Sequence, residues 1–159
     1  MNLIDFGNIE WQVIDIEKGL VISKNILFLK EFDEKTEENE SGSNIYENST
    51  LKKYLEEKWI YRFTKEEEKF IKEIKIPSEE EMNLINEIDR IKTYNNKKWF
   101  YWLYTPHISY SCTVKYIDCD GLISYHYACL NSLGIVPALI LNIDKETLES
   151  MIIMKKLLS

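Results

Sequence analysis

The chain has 159 residues and a mass of 19.0 kDa, long enough for one domain with its own core and too short for two ordinary domains and a linker. Hydrophobic residues at 45% and aromatic residues at 13% exclude a disordered chain. With 20 Lys+Arg against 27 Asp+Glu the net charge is −7, which argues against nucleic acid or an anionic membrane as a direct partner, since both need clustered cations, and favours a basic protein.

No apolar run reaches the length that spans a bilayer, and Met1 to Asp15 carries acids in place of the basic and apolar regions of a secretion signal, so a cytoplasmic protein is expected. Three cysteines without a Cys-x-x-Cys pair form no disulfide framework, which points to free thiols in a reducing compartment. Heavy use of Ile, Lys, Asn, Tyr and Glu follows AT-rich codons and suggests a low-GC bacterium or one of its phages.

In chain order, Ile9 to Ile16 and Leu20 to Ser23 read as a hairpin around Glu17-Lys18-Gly19, with the second strand well buried. Glu31 to Asn44 has charge, Ser and Gly without periodicity and reads as a surface loop. Ser49 or Asn48 caps a helix expected to run to about Arg62, with Leu51, Tyr54, Leu55 and Trp59 at helical spacing. Thr64-x-x-Glu67 opens a second helix with Phe70, Ile71 and Ile74 inward, and Ser78-x-x-Glu81 opens a third after Pro77. Trp99 to Tyr104 is six consecutive apolar or aromatic residues, the pattern of a strand covered on both faces. Cys112 to Ile117 and Leu122 to Cys129 form a second hairpin, for which Asp120-Gly121 suits a two-residue type I′ turn. Gly134 to Asn142 is a last apolar strand, placed by Pro137 at an edge or a bulge. Asp144 then caps a helix from Lys145 to Leu158, its stripe formed by Leu148, Met151, Ile152 and Lys155 and broadened by Ile153, Met154 and Leu157.

Six segments in this order resemble the motifs of a bacterial domain-of-unknown-function family, number 6273, and with it the C-type-lectin-like and formylglycine-generating-enzyme fold. They are Trp11 to Ile14 with Leu20 to Ser23, Tyr46 to Leu55, Ile76 to Glu81, Tyr101 to His107, Val114 to Gly121, and Gly134 to Leu139. The resemblance covers roughly residues 9 to 142 and implies an α+β fold of antiparallel sheets with two to three helices in the N-terminal half. One C-type-lectin-like domain over 1–142 is expected, with 143–159 as an added C-terminal helix that either covers a sheet edge or meets another subunit. Two arginines typical of the family's late motifs are here Tyr104 and Val136. Their loss either removes a ligand site or replaces a loop brace by packing.

All the histidines and cysteines, His107, Cys112, Cys119, His126 and Cys129, lie close together in the chain, which raises metal binding. A two-residue hairpin turn would set Cys112 opposite Cys129 and Lys115 opposite His126, on opposite faces of the sheet, so no metal and no cofactor is expected. That register would also allow a Cys112–Cys129 bridge under oxidation. The triplets Glu66 to Glu68 and Glu79 to Glu81 read as first-turn residues of helices rather than paired catalytic carboxylates, and Lys97-Lys98 before Trp99 is too small a cation patch for nucleic acid. Five scattered glycines make no phosphate-binding loop.

From Glu31 to Arg90 there are 18 acids and 10 bases, so the excess negative charge lies in the middle of the chain. The expected function is a non-catalytic protein-interaction module that uses Glu34, Glu37, Glu38 and Glu40 against a basic partner. In its sharper form it is a phage-type inhibitor occupying the nucleic-acid-binding surface of that partner. A small-ligand or glycan module using Tyr104, His107, Tyr110 and Asn131 is the alternative, without calcium because the late loops lack carboxylate pairs. A redox or metal enzyme built on the cysteines is the third reading.

Overall fold

The computed structural model describes residues 1–159 and is mixed α+β. The first hairpin exists and gains a strand in front of it: β1 (Leu3–Phe6), β2 (Ile9–Asp15) and β3 (Leu20–Ser23) form an antiparallel meander. Gly7 and Asn8 between β1 and β2 have φ of +59° and +61°, the backbone of a type I′ turn. After the short β4 (Phe28–Leu29) comes the expected loop, and then α1 (Thr50–Glu57), capped by Ser49, whose hydroxyl accepts the Lys52 N–H. α1 stops at Glu57 rather than near Arg62, and Trp59–Arg62 tighten into a 3-10 turn.

The two capping boxes form reciprocally, yet each opens only one helical turn, α2 (Lys65–Glu68) and α3 (Glu79–Met82). Ile71 and Ile74, expected on a helix, lie instead in β5 (Ile71–Lys75), where they face Leu141 and Leu139 of β12 (Ala138–Leu141). A single turn is too short to hold itself, and pairing with a buried strand outcompetes its extension. Phe70 is left largely exposed. The first-turn glutamates also tie α3 to its neighbours, Glu81 to Lys75 and Glu79 to Lys115, both at 2.6 Å.

A further turn, α4 (Glu87–Arg90), leads to the hairpin of β6 (Lys92–Tyr94) and β7 (Lys97–Trp99), closed by Asn95 and Asn96 in left-handed backbone. The aromatic run from Trp99 therefore divides: Trp99 ends β7, and β8 (Tyr101–Pro106) begins two residues later. β8 pairs with β9 (Thr113–Ile117), and β9 with β10 (Ile123–Tyr127). Gly134 to Leu141 is likewise two strands, β11 (Gly134–Ile135) and β12. Neither lies at an edge, because β11 sits between β8 and β4 while β12 sits between β3 and β5. Pro137 falls in the link between them, where it needs no ladder N–H, and its carbonyl accepts from Ser23.

The result is two five-stranded sheets, ordered β1-β2-β3-β12-β5 and β10-β9-β8-β11-β4. Successive residues of the central strands feed two cores. Val21, Trp102 and Leu139 belong to the larger one with Trp11, Leu51 and Leu55, while Leu20, Ile22, Tyr101, Leu103 and Ala138 belong to the smaller one with Met82. The last helix, α5 (Lys145–Leu158), is capped by Asp144 as expected and packs against β1, burying Leu148 and Ile152 in the larger core. Its Lys155 pairs with Asp5 and Glu10. No helix is long and apolar enough to cross a membrane.

The β9–β10 hairpin differs from expectation by one residue. Asp118 donates its N–H to the Leu122 carbonyl at 2.8 Å around a three-residue loop, Cys119-Asp120-Gly121, with Gly121 at φ +81°. The three-residue form wins because left-handed Gly121 lies tight against the Glu87 carbonyl, in space that only a residue without Cβ can occupy. Lys115 therefore faces Tyr125, and Val114 faces His126. Ala128, not Cys129, bonds to the Cys112 carbonyl, at 2.8 Å.

Lys92 is buried without a carboxylate partner. Its Nζ donates to Gln12 Oε1 at 3.1 Å and to the Lys24 carbonyl at 3.0 Å, the two donors that a neutral amine possesses. Burial drives its pKa down to about 7, opposed by the negative charge of Asp89. Between that value and the ordinary lysine range the unfolded chain holds a proton that the native chain lacks, so stability rises with pH across the window. Urea unfolding is expected to show a gain of about 2 kcal/mol between pH 7 and pH 9, and Lys92→Met should abolish most of that slope; equal slopes in the two proteins would refute it. Gly121→Ala should cost about 2 kcal/mol by the same measurement, and an unchanged midpoint would show that the turn relaxes freely.

Candidate functional site

The acidic loop is not loose. Phe32 is fully buried, its ring 6.0 Å from that of Trp102 and 5.9 Å from that of Tyr46, and this anchors the start of the loop in the larger core. The Asp33 carboxylate accepts the Ser43 N–H at 2.8 Å and the Thr50 N–H at 3.1 Å, so one of the loop's acids is consumed in closing it. Gly42, at φ +77°, passes close to the Asp33 carbonyl and to Ala128.

Two further ties bring the loop to the far hairpin. The Ser41 carbonyl accepts from Cys129, and the Ala128 carbonyl accepts from both Phe32 and Asp33. The buried Asn44 donates through Nδ2 toward the carbonyls of His107, Tyr110 and Thr113 at 3.3, 3.0 and 3.2 Å, and its own N–H bonds to Ser111. One side chain thus adds to the bonds that the 107–113 turn makes within itself, His107 N–H to the Thr113 carbonyl and Thr113 N–H to the Tyr110 carbonyl, and ties that turn to the acidic loop.

Glu34, Glu37, Glu38 and Glu40 project into solvent from this pinned loop and form no ion pair. On the other side of the Asn44 clamp lies an aromatic cluster. The His107 ring stacks on Tyr125 at 3.9 Å and on Tyr110 at 5.6 Å, and Tyr110, Tyr125 and Tyr127 are each more than half exposed. Tyr110, Tyr125 and Tyr127 line a cleft of about 320 Å³ together with Cys112, Thr113 and His126.

Residues 17–91 match the family model of a domain of unknown function, DUF6273. The match supports the family read from the motifs and takes in the acidic loop, α1 and both capping boxes. It covers just under half of the 159 residues and leaves out the late segments around Tyr101 to His107 and Gly134 to Leu139. No curated protein and no solved structure matches the chain. In the DUF6273 segment the four glutamates stand where the sequence places them, but Asn44, the residue that joins them to the late loops, carries no local signal. Its three acceptors are 63 to 69 residues away.

The four residues of the ligand reading separate. His107 and Tyr110 are together in the aromatic cluster. Tyr104 instead donates its hydroxyl to Glu47 at 2.9 Å and packs on Tyr46, which ties it to the 3-10 turn Tyr46–Asn48 ahead of α1. Asn131 lines a different hollow with Glu31, Glu34 and Lys35. Val136 is buried in the smaller core, as packing at that position requires. The thiols are free and disperse: Cys112 faces the aromatic cleft, Cys129 lies in the hollow of Asn131, and Cys119 bonds to the Lys98 carbonyl. Burial, with Asp118 and Asp120 beside it, pushes the Cys119 thiol up, away from a reactive thiolate. No three His, Cys, Asp or Glu side chains converge as metal ligands.

Asn44→Ala should lower stability by about 2 to 3 kcal/mol and raise amide exchange of residues 107–113 well above that of α1. Uniform exchange across both regions would show that Asn44 does not act as the clamp.

Proposed function

We propose that the chain is a non-catalytic protein-interaction module on a C-type-lectin-like frame, acting in the cytoplasm on a basic partner. The observation that carries this reading is continuity: Asn44, Ser41 and Ala128 tie the loop that carries four unpaired glutamates to the two segments that carry the half-exposed aromatic rings. Rigid aromatics bury large area with little loss of side-chain entropy, and a charged rim steers the encounter and rejects acidic competitors. The sharper form follows from the charge. A surface of carboxylates next to flat rings resembles nucleic acid in sign and in stacking capacity, so the favoured partner surface is one that binds nucleic acid, the target a phage-encoded inhibitor would occupy.

A second reading has its own support. The His107–Tyr125 stack at 3.9 Å beside the 320 Å³ cleft is suited to a small planar ligand or a sugar face. It would use His107, Tyr110 and Tyr125, without Tyr104 or Asn131.

The test compares the wild type with a variant carrying Glu34, Glu37, Glu38 and Glu40 all changed to Gln, and with Tyr125→Ala, in affinity capture from host lysate at low and high salt. A single basic protein, retained at low salt by the wild type and weakened about tenfold or more by either variant, is the expected result. Capture unaffected by the four neutralisations would remove the acidic docking surface.

A further inference from the structure

The binding mode can be taken further, on the basis of the reading above: we propose that an extended, basic segment of the partner adds to the free edge of β10 as a sixth strand. β10 terminates the sheet β10-β9-β8-β11-β4 and pairs only with β9. The flanking bonds, Asp118 N–H to the Leu122 carbonyl and Ala128 N–H to the Cys112 carbonyl, set which residues face inward. Alternation then directs the N–H and C=O groups of Ile123, Tyr125 and Tyr127 outward. Tyr127 is already satisfied, its N–H by His126 Nδ1 at 2.7 Å and its carbonyl by the Leu130 N–H. Ile123 and Tyr125 are left with two donors and two acceptors open to solvent.

Comparison of the sheet ends singles out this edge. An exposed strand edge pairs indiscriminately unless it is blunted. β4 has two residues, β1 has α5 packed against it, and β5 carries Lys72, Glu73 and Lys75. β10, Ile-Ser-Tyr-His-Tyr, has no charged side chain and no proline, and its last three residues are exposed. An edge left open where the others are closed is the signature of strand addition, in which main-chain bonds hold the segment and side-chain pockets select it.

The charge around the edge selects the occupant. Past Tyr127 the chain runs into Ala128 and Cys129, and Cys129 is bonded to Ser41 of the acidic loop, so an added segment leaving that end meets this loop next to Glu40 and needs cations there. A second copy is the wrong partner. Antiparallel self-pairing of β10 would set that loop against Asp118 and Asp120 of the other molecule, acid against acid, with −7 on each chain.

Selection of random displayed peptides of about twelve residues, long enough to cross β10 and reach the loop, tests this directly on the full chain. The expected winners carry Lys or Arg at one end and lose about tenfold or more in affinity when alternate backbone nitrogens are N-methylated, and they protect the Ile123 and Tyr125 amides from exchange. Tyr125→Pro, which removes an outward N–H without touching the β9 ladder, should mimic that loss, while Tyr125→Phe should not. The N-methylated peptides give the answer on wild-type protein even if the proline variant misfolds. Basic winners that tolerate N-methylation in both phases and leave those amides unprotected would overturn strand addition and leave acidic docking standing. Winners without basic residues, or none at all, would overturn both, and a concentration-dependent dimer abolished by Tyr125→Pro would replace the basic segment with a second copy.

Discussion

The two residues Val136 and Pro137 hold the architecture together. They join β11, central in one sheet, to β12, central in the other, so a single short stretch of chain fixes the distance and angle between the two sheets. Because both strands are interior, each must be apolar on both faces, and Val136 and Ala138 enter the smaller core while Ile135 and Leu139 enter the larger. β3 and β8 obey the same rule. With so many residues committed to two cores, little of the sheets is free for chemistry, and function is left to edges and loops.

The surface that remains is built by long-range hydrogen bonds rather than by its own packing. Phe32 anchors one end of the acidic loop and Asn44 the other, and between them the glutamates repel one another at no cost to the core. Buried polar groups recur at such joints. Trp99, Trp102 and Tyr101 each spend their polar atom on a backbone carbonyl of another segment, Trp11 spends its own on nearby Phe6, and Lys92 reaches the Lys24 carbonyl at the expense of its charge. These bonds add little net energy each, but a wrong arrangement would leave every one unmade, which penalises alternative packings.

Much of this was legible in the residues. Helix starts were read correctly at Ser49, Thr64, Ser78 and Asp144 because a cap is a local bond between neighbours. Helix ends were not, since whether Thr64 opens three turns or one depends on β12, some seventy residues further on, offering Ile71 and Ile74 a partner. The turns Gly7-Asn8 and Asn95-Asn96, and with the first of them the strand β1, were not read from the sequence, although Gly and Asn there suit a left-handed hairpin turn. The hairpin at Gly121 was placed one residue out, because Asp-Gly suits both loop lengths and the choice fell to the crowding of Gly121 against Glu87.

By itself, then, the sequence determined the caps, the doubly buried strands and the exposed acidic segment, which rest on the type and spacing of nearby residues, while the α+β class came with the resemblance of its motifs to the family matched over residues 17–91. Only the tertiary structure decided that residues 134–141 serve two sheets, that Lys92 is buried without a counter-ion, and that Tyr104 turns to Glu47. It alone tied Ser41 and Asn44 of the acidic loop to Cys129 and to the 107–113 turn. Those outcomes depend on partners many tens of residues apart, and no local periodicity records which distant carbonyl a buried side chain will reach.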